Sequence, residues 1–348
     1  MIMTKLTRLS LMVFLVLTLI LGIQIAQTPA KPIVLKYATM NPPTSWHHTD
    51  FYVPWAEKVK NATEGRVTVK IYPSQTLGKA PSFFDLVKTG IADVALGVQA
   101  INAGQFPLTE ITSLPFLGIP SGKAGAAIVW RLYEKYPAIQ KEYEGIKFLH
   151  AGFTSPFFFM TTKKPIRNLE DVKGVKLRAP GGRQAEAFEL VGANPVAMHI
   201  AELYMAIEKG VIDGLATTWE PIRGQLPVDK LRYATVTNLW AIPFWIGINH
   251  ASWGRISPED QEAIMKCCAG LAGSEYHGWA FGAAKEPSIE IVKKAGWEIF
   301  QFPESDYQKW AAMCKPIHEK YINSLEAKGL PAREIYNDIL KMIKEYTP

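Results

Sequence analysis

One arginine stands where a small ligand could be held. Arg178 lies in the run VKLRAP, in which Val175, Leu177 and Ala179 alternate with Lys176, Arg178 and Pro180 and so read as the two faces of a strand. Pro180 cannot donate to a ladder and Gly181-Gly182 permits a sharp turn, so the strand should end there. A helix should follow from about Arg183 to Leu190, stopped by Gly192. Arg178 is thereby set near the carboxyl end of a strand, before a turn into a helix, where open α/β sheets bind ligands. A solvated charge on a strand edge explains the same position, and position alone does not separate the two. Catalytic constellations are missing: there is no G-x-S-x-G elbow, no G-x-G-x-x-G turn, no Walker lysine and no H-E-x-x-H. His47 and His48 are adjacent, so on a helix they do not face one another as metal ligands would; a surface or capping role is the plainer reading, and contact of one of them with a ligand is the alternative. Glu170-Asp171 reads as a helix-start charge pair rather than an acid–base couple. No catalytic residue, metal ligand or cofactor is assigned.

The surrounding motifs are more specific than Arg178 alone. K-G-V-K-L-R-A-P-G-G (173–182), then G-A-N-P-V-A-M (192–198), then E-L-Y-M-A-I-E-K-G-V-I-D-G (202–214) follow in order with short spacers. Together they resemble the core signature of TRAP-transporter solute-binding proteins of the dicarboxylate-receptor type, and the likeness runs from about Ile33 to the C-terminus, thinning after about Ser252. The resemblance implies a two-lobed, periplasmic-binding-protein-like α/β fold with a ligand cleft between the lobes and a long helix spanning both. It implies that Arg178 pairs with the ligand's carboxylate, a task suited to a planar guanidinium that never loses its charge. It also implies two partners, a small organic carboxylate and the subunits of a TRAP-type membrane permease. Asp213 falls in the family's D-G block, where it serves structure.

Departures from the family's pattern narrow the ligand. Some relatives place a second arginine twenty residues before the first; here that position is Phe158. Val98 and Ile101 stand where sugar-acid binders carry charged or polar groups, and Thr217 where such relatives often have asparagine. Asn41 and Gln99 remain as polar side chains, while Trp219 and Phe244 add aromatic wall. The expected site is therefore Arg178, Asn41, Gln99, Phe158, Thr217, Trp219, Phe244, Val98 and Ile101. Such a wall suits one carboxylate on an aromatic or bulky aliphatic body, 2-oxo acids included. A C4-dicarboxylate or sugar acid, a sensor-associated binding role, and a secreted hydrolase are the rival expectations, in falling order.

Composition sets the frame. The 348 residues are 48% apolar and 20% charged, ordinary for a globular chain long enough for two lobes. The net charge is +6, and removal of Lys5 and Arg8 with a leader would leave 6 − 2 = +4. The basic residues are scattered, so no nucleic-acid partner is expected. Lys5 and Arg8 precede an apolar run, Leu9 to Ile23, and Thr28-Pro29-Ala30 offers a signal-peptidase site. Residues 1–30 are thus expected to be a signal peptide cleaved near Ala30, giving a periplasmic protein; an uncleaved anchor is the alternative. Cys267, Cys268 and Cys314 match no zinc spacing; a bridge from Cys314 to either neighbour and three free thiols are both open.

The elements that must position these residues alternate. Strands are expected at Ile33–Met40, Val67–Tyr72 and Ala92–Gly97, with helices at Thr44–Ala62 and Ala80–Thr89 between them. A helix capped by Ser121 should run to about Tyr143, and strands should follow at Ile146–Gly152 and Phe157–Thr162. Helix Ala201–Lys209 and strand Val211–Ala216 belong to a second sheet, and Thr235–Ile248 should cross back to the first. Ser257-Pro258 opens a helix expected to continue to Ala284; a strand at Trp297–Phe302 and helices at Glu304–Lys328 and Pro331–Tyr346 close the chain. Lobe I is expected from 31–153 plus about 243–282, and lobe II from 154–242 plus about 283–348.

Overall fold

The computed structural model describes residues 31–102, 104–179, 181–198 and 202–347. The expected leader, residues 1–30, lies outside them, as do Pro180 and the expected helix start at Ala201. In chain order the strands are β1 (Ile33–Ala38), β2 (Val67–Tyr72), β3 (Val94–Val98), β4 (Lys147–Phe153), β5 (Phe158–Thr161) and β6 (Lys176–Ala179). They continue with β7 (Asn194–Ala197), β8 (Gly214–Thr217), β9 (Tyr233–Val236), β10 (Pro243–Ile248) and β11 (Glu298–Gln301). The first sheet has the order β2-β1-β3-β10-β4 and the second β11-β9-β5-β8-β6-β7. The chain thus makes a parallel β1–β2–β3 layer, leaves for the second sheet, and returns as β10, antiparallel to both β3 and β4. Each sheet is the floor of one lobe.

Strand β7, which contains Pro195, is absent from the sequence reading. It forms on the sheet's edge, where a missing N–H costs nothing, and pairs in parallel with β6 so that Arg178 faces Val196. Three expected helices are interrupted, each for a local reason. The segment expected as one helix through Ala62 begins as a wide π-type turn, His47–Tyr52, before the α-helix Val53–Ala62. Pro54, which has no N–H to give, stands at that junction. Ser121 does cap its helix, its Oγ accepting from the Ala124 N–H at 3.1 Å, but Pro137 divides the run into Gly122–Lys135 and Pro137–Glu142.

The helix expected to span both lobes without a break is also divided. Ser257 Oγ accepts from the Asp260 N–H at 3.1 Å and opens helix Pro258–Cys267; the chain then turns extended at Ala269 and restarts as Gly270–Ala283. Gly270 takes φ +58°, a left-handed conformation that suits glycine, and Trp55 Nε1 donates to the freed Cys268 carbonyl at 2.7 Å. After Ala284 the path continues as helix Lys285–Lys294, whose Val292 is buried in the second lobe. The helix that itself serves both cores is Glu304–Glu326: Trp310, Cys314 and Ile317 pack in the second lobe, Ile322 and Leu325 in the first. The last helix, Ala332–Glu345, buries Ile335 and Ile339 in the first core, so these residues leave the lobe expected for 283–348. Cys267 and Cys268 are joined to each other, and Cys314 is a buried free thiol. Cys314 cannot reach either, because it packs in the second lobe while Cys268 packs in the first. Among the described residues no helix is long and apolar enough to cross a membrane.

Candidate functional site

The carboxyl ends of strands from both sheets converge on a cavity of about 310 Å³. From the first lobe, β1 runs out into Met40 and Asn41, β3 ends at Val98 with Ile101 one short turn beyond, and β10 sets Phe244 opposite Val98. From the second, β6 supplies Arg178, β7 runs out into Met198, and β8 ends at Thr217 and leads into Thr218, Glu220 and Pro221. Phe157, Thr154 and Ile242 come from the segments that cross between lobes. Two ion pairs join the lobes across this region, Arg223 with Asp50 and Arg183 with Glu110.

Arg178 is 8% exposed, and burial lowers its pKa to about 10, which leaves it charged at neutral pH. Among the described residues its single hydrogen bond runs from Nε to the Met198 carbonyl, 3.2 Å away. Among the described residues the two terminal nitrogens, the fork that grips a carboxylate, are uncommitted. No other lysine or arginine lines the cavity among the described residues.

Six of the nine residues expected at the site line this cavity: Arg178, Asn41, Thr217, Phe244, Val98 and Ile101. Asn41 is partly spent, because its Oδ1 accepts from the Tyr52 hydroxyl at 2.8 Å. Gln99, Phe158 and Trp219 are corrected. Gln99 is fully buried and turned into the first lobe, where its Nε2 donates to the Tyr143 hydroxyl at 2.7 Å. Phe158 and Trp219 pack on each other, ring centroids 4.3 Å apart, inside the second lobe's core with Met160 and Leu215. Successive residues of an extended chain point to opposite faces, and it is Phe157 that takes the cavity side.

Other polar side chains line the cavity beyond the nine expected residues. His47 is a cavity residue rather than a surface or capping one: it is 9% exposed, neither ring nitrogen has a partner, and burial lowers its pKa to about 3, partly opposed by Asp50. Trp46 stands beside it with its indole N–H unpartnered. Gln225 enters from the loop beyond β8. Glu220 is wholly buried, and burial raises its pKa to about 7. The Thr218 and Ser155 hydroxyls stand close enough to oppose that rise, yet neither completes a hydrogen bond to either carboxylate oxygen. Nothing in the spacing of T-T-W-E-P-I announces a buried acid, which reads equally as the charged start of a short helix. Among the described residues no cluster of His, Cys, Asp and Glu is disposed to hold a metal ion. The arrangement offers one anion anchor, an apolar enclosure and a few uncommitted polar groups, which is equipment for holding a small acid.

Known proteins show the same architecture. Residues 37–324 match the family model described as bacterial extracellular solute-binding protein, family 7. The outer membrane transporter protein TsaT of Comamonas testosteroni is 30% identical over 291 residues, covering 81% of this chain and 83% of that protein. A marine metagenome TRAP solute-binding protein specific for aromatic acid ligands, solved with 3-hydroxybenzoate, superposes with a TM-score of 0.84 at 26% identity, covering 91% of this chain and 99% of the other. A TRAP periplasmic solute-binding protein of Bordetella bronchiseptica with bound (R)- and (S)-mandelate superposes at 0.80 with 27% identity, covering 90% and 100%.

Proposed function

The chain belongs to family 7 of the bacterial extracellular solute-binding proteins and is a TRAP-type solute-binding protein; from that premise we propose that its cavity receives one organic monocarboxylate with an aromatic or bulky aliphatic body. The observation that carries this reading is Arg178, a buried guanidinium with its fork uncommitted, in a cavity walled by Phe157, Phe244, Val98, Ile101, Ile242 and Met198. A second carboxylate would find no second cation among the described lining residues, and burying it unpaired would be costly. An aromatic ring, by contrast, buries about 150–250 Å² and gains roughly 4–6 kcal/mol at about 25 cal/mol per Å², before the costs of association. The aromatic acids bound by the two structural relatives support the same class.

The ligand acts by closure. Its carboxylate neutralises Arg178 as the lobes meet, so the closed state is favoured only when the anion is present. Leaving Arg178 shut in alone would cost roughly 3–5 kcal/mol, by analogy with broken buried pairs. The loaded receptor then delivers its acid, outside the cytoplasm, to a TRAP-type permease. Titration calorimetry with phenylacetate, 4-methyl-2-oxopentanoate and succinate tests the reading. An apolar monocarboxylate should bind, and Arg178→Ala should weaken it at least about 100-fold while thermal unfolding stays cooperative. Tight succinate binding with no response to the apolar acids, or near-normal affinity in Arg178→Ala, overturns it.

A further inference from the structure

An apolar cavity with one anion anchor does not account for Glu220. Glu220 belongs to the cavity lining and is wholly buried, and although the Thr218 and Ser155 hydroxyls and its own backbone N–H lie near, neither carboxylate oxygen completes a hydrogen bond. An acid so placed is costly to leave unmatched even in its neutral form. Its position is built rather than accidental: β6 and β8 are parallel neighbours, with Arg178 opposite Leu215, and the chain leaving β8 brings Glu220 to the edge from which Arg178 reaches. His47, from the other lobe, adds a second buried group with two unpartnered nitrogens on the same cavity. We propose that Glu220 is a specificity-determining residue, which hydrogen-bonds a hydroxyl on the body of the acid held by Arg178, so that hydroxy acids are selected over their unsubstituted counterparts. This rests on the monocarboxylate reading above and deepens it.

A hydroxyl fits better than an ammonium group for two reasons. With burial raising Glu220 to about 7, both protonation states are populated near neutrality. A hydroxyl donates to the ionised carboxylate and accepts from the neutral acid, whereas an ammonium pairs only with the former. An ammonium also brings three donors that all need acceptors once the cleft closes. A hydroxyl has one donor and two lone pairs, which Glu220 and the neutral imidazole of His47 can satisfy between them.

Calorimetry on the full exported chain decides, with phenylacetate as the reference ligand. It is compared with mandelate, the three ring-hydroxylated phenylacetates and phenylglycine, on the wild type, Glu220→Gln and Glu220→Met. At least one hydroxylated acid should bind the wild type about tenfold or more tighter than phenylacetate. That ratio should fall below about twofold in Glu220→Met and survive in part in Glu220→Gln, which keeps an acceptor oxygen. Phenylacetate binding with no hydroxyl preference at any position overturns the inference while sparing the monocarboxylate reading. So does a preference that persists undiminished in Glu220→Met. Phenylglycine binding tighter than every hydroxy acid overturns it in favour of an ammonium. Failure of every aromatic acid to bind overturns this inference and leaves the monocarboxylate reading to the aliphatic acids alone. The wild-type comparison stands even if neither variant folds.

Discussion

Buried groups that can carry charge are concentrated in the first lobe behind the cavity. His150 and His277 are wholly buried with no partner for any ring nitrogen, and His277 stacks on Phe51 at 4.0 Å between centroids. Burial lowers His150 from 6.5 to about 3 and takes His277 well below 6.5, the latter helped by the charges that His150 and His47 would carry. A lowered histidine is neutral when folded, while the unfolded chain binds a proton below 6.5. Its contribution to stability is therefore full above 6.5 and is lost as pH falls towards 3. Glu220 and Glu142, each raised by burial to about 7, act in the opposite direction, so the whole-protein profile mixes the two. His150→Leu isolates one histidine. Between pH 7 and pH 5 the wild type should lose about 2 kcal/mol relative to this variant in urea unfolding, at about 1.4 kcal/mol per pH unit below 6.5. Parallel stability profiles for the two proteins over that range would show that His150 takes up its proton in the folded state.

Helices here meet through glycine. A Cβ on Gly278 would lie 2.2 Å from the Gly122 carbonyl oxygen, and one on Gly122 would lie 2.9 Å from that of Gly278. Helices Gly122–Lys135 and Gly270–Ala283 therefore cross with their backbones in contact, which sets the height of both over the first sheet. Those neighbours are backbone atoms that no rotamer change can move. Gly278→Ala should consequently destabilise by about 2–3 kcal/mol, the strain of overpacking, even though alanine is the better helix former. Gly282→Ala, one turn on with open space around it, is the control and should be neutral or stabilising. Equal melting temperatures for the two variants would rule out the close crossing. The amphipathic runs were legible in the sequence, and so were the caps at Ser121 and Ser257. The breaks near Pro54, Pro137 and Ala269 were not read, because the apolar periodicity continues across each of them and outweighed the local proline or glycine.

At the scale of the whole molecule, the two lobes meet around the cavity and ion pairs join them across it. The Arg223–Asp50 pair joins the turn after β8 to the π-type turn before Val53, and both side chains stay partly solvated. Such a pair contributes up to about 1 kcal/mol, enough to slow reopening without locking the receptor. Asp50→Asn should weaken ligand binding by up to about fivefold, chiefly through faster release, and the difference should shrink at high salt. Stopped-flow release rates identical to wild type at low ionic strength would show that the pair is a bystander to closure.

The sequence determined the class of this protein and singled out the arginine proposed as its anchor: alternating strands and helices, the three ordered motif blocks, and a guanidinium at a strand's carboxyl end are local patterns. Local patterns survive in one dimension because each depends on neighbours within a few residues. Tertiary structure alone decided which side chains share the cavity. Phe157 and Phe158 are indistinguishable by type, and the pleat sends one to the ligand and the other beneath Trp219. Gln99 and Glu220 are both polar and both fully buried, yet the Gln99 amide N–H is taken up by Tyr143 inside the first lobe, while neither carboxylate oxygen of Glu220, a residue of the cavity lining, completes a hydrogen bond. The helix Glu304–Glu326 serves two cores, its first half packing in the second lobe and its last turns in the first. Partners brought in from distant sequence fix burial and hydrogen-bond satisfaction, and no spacing within a single stretch can encode them.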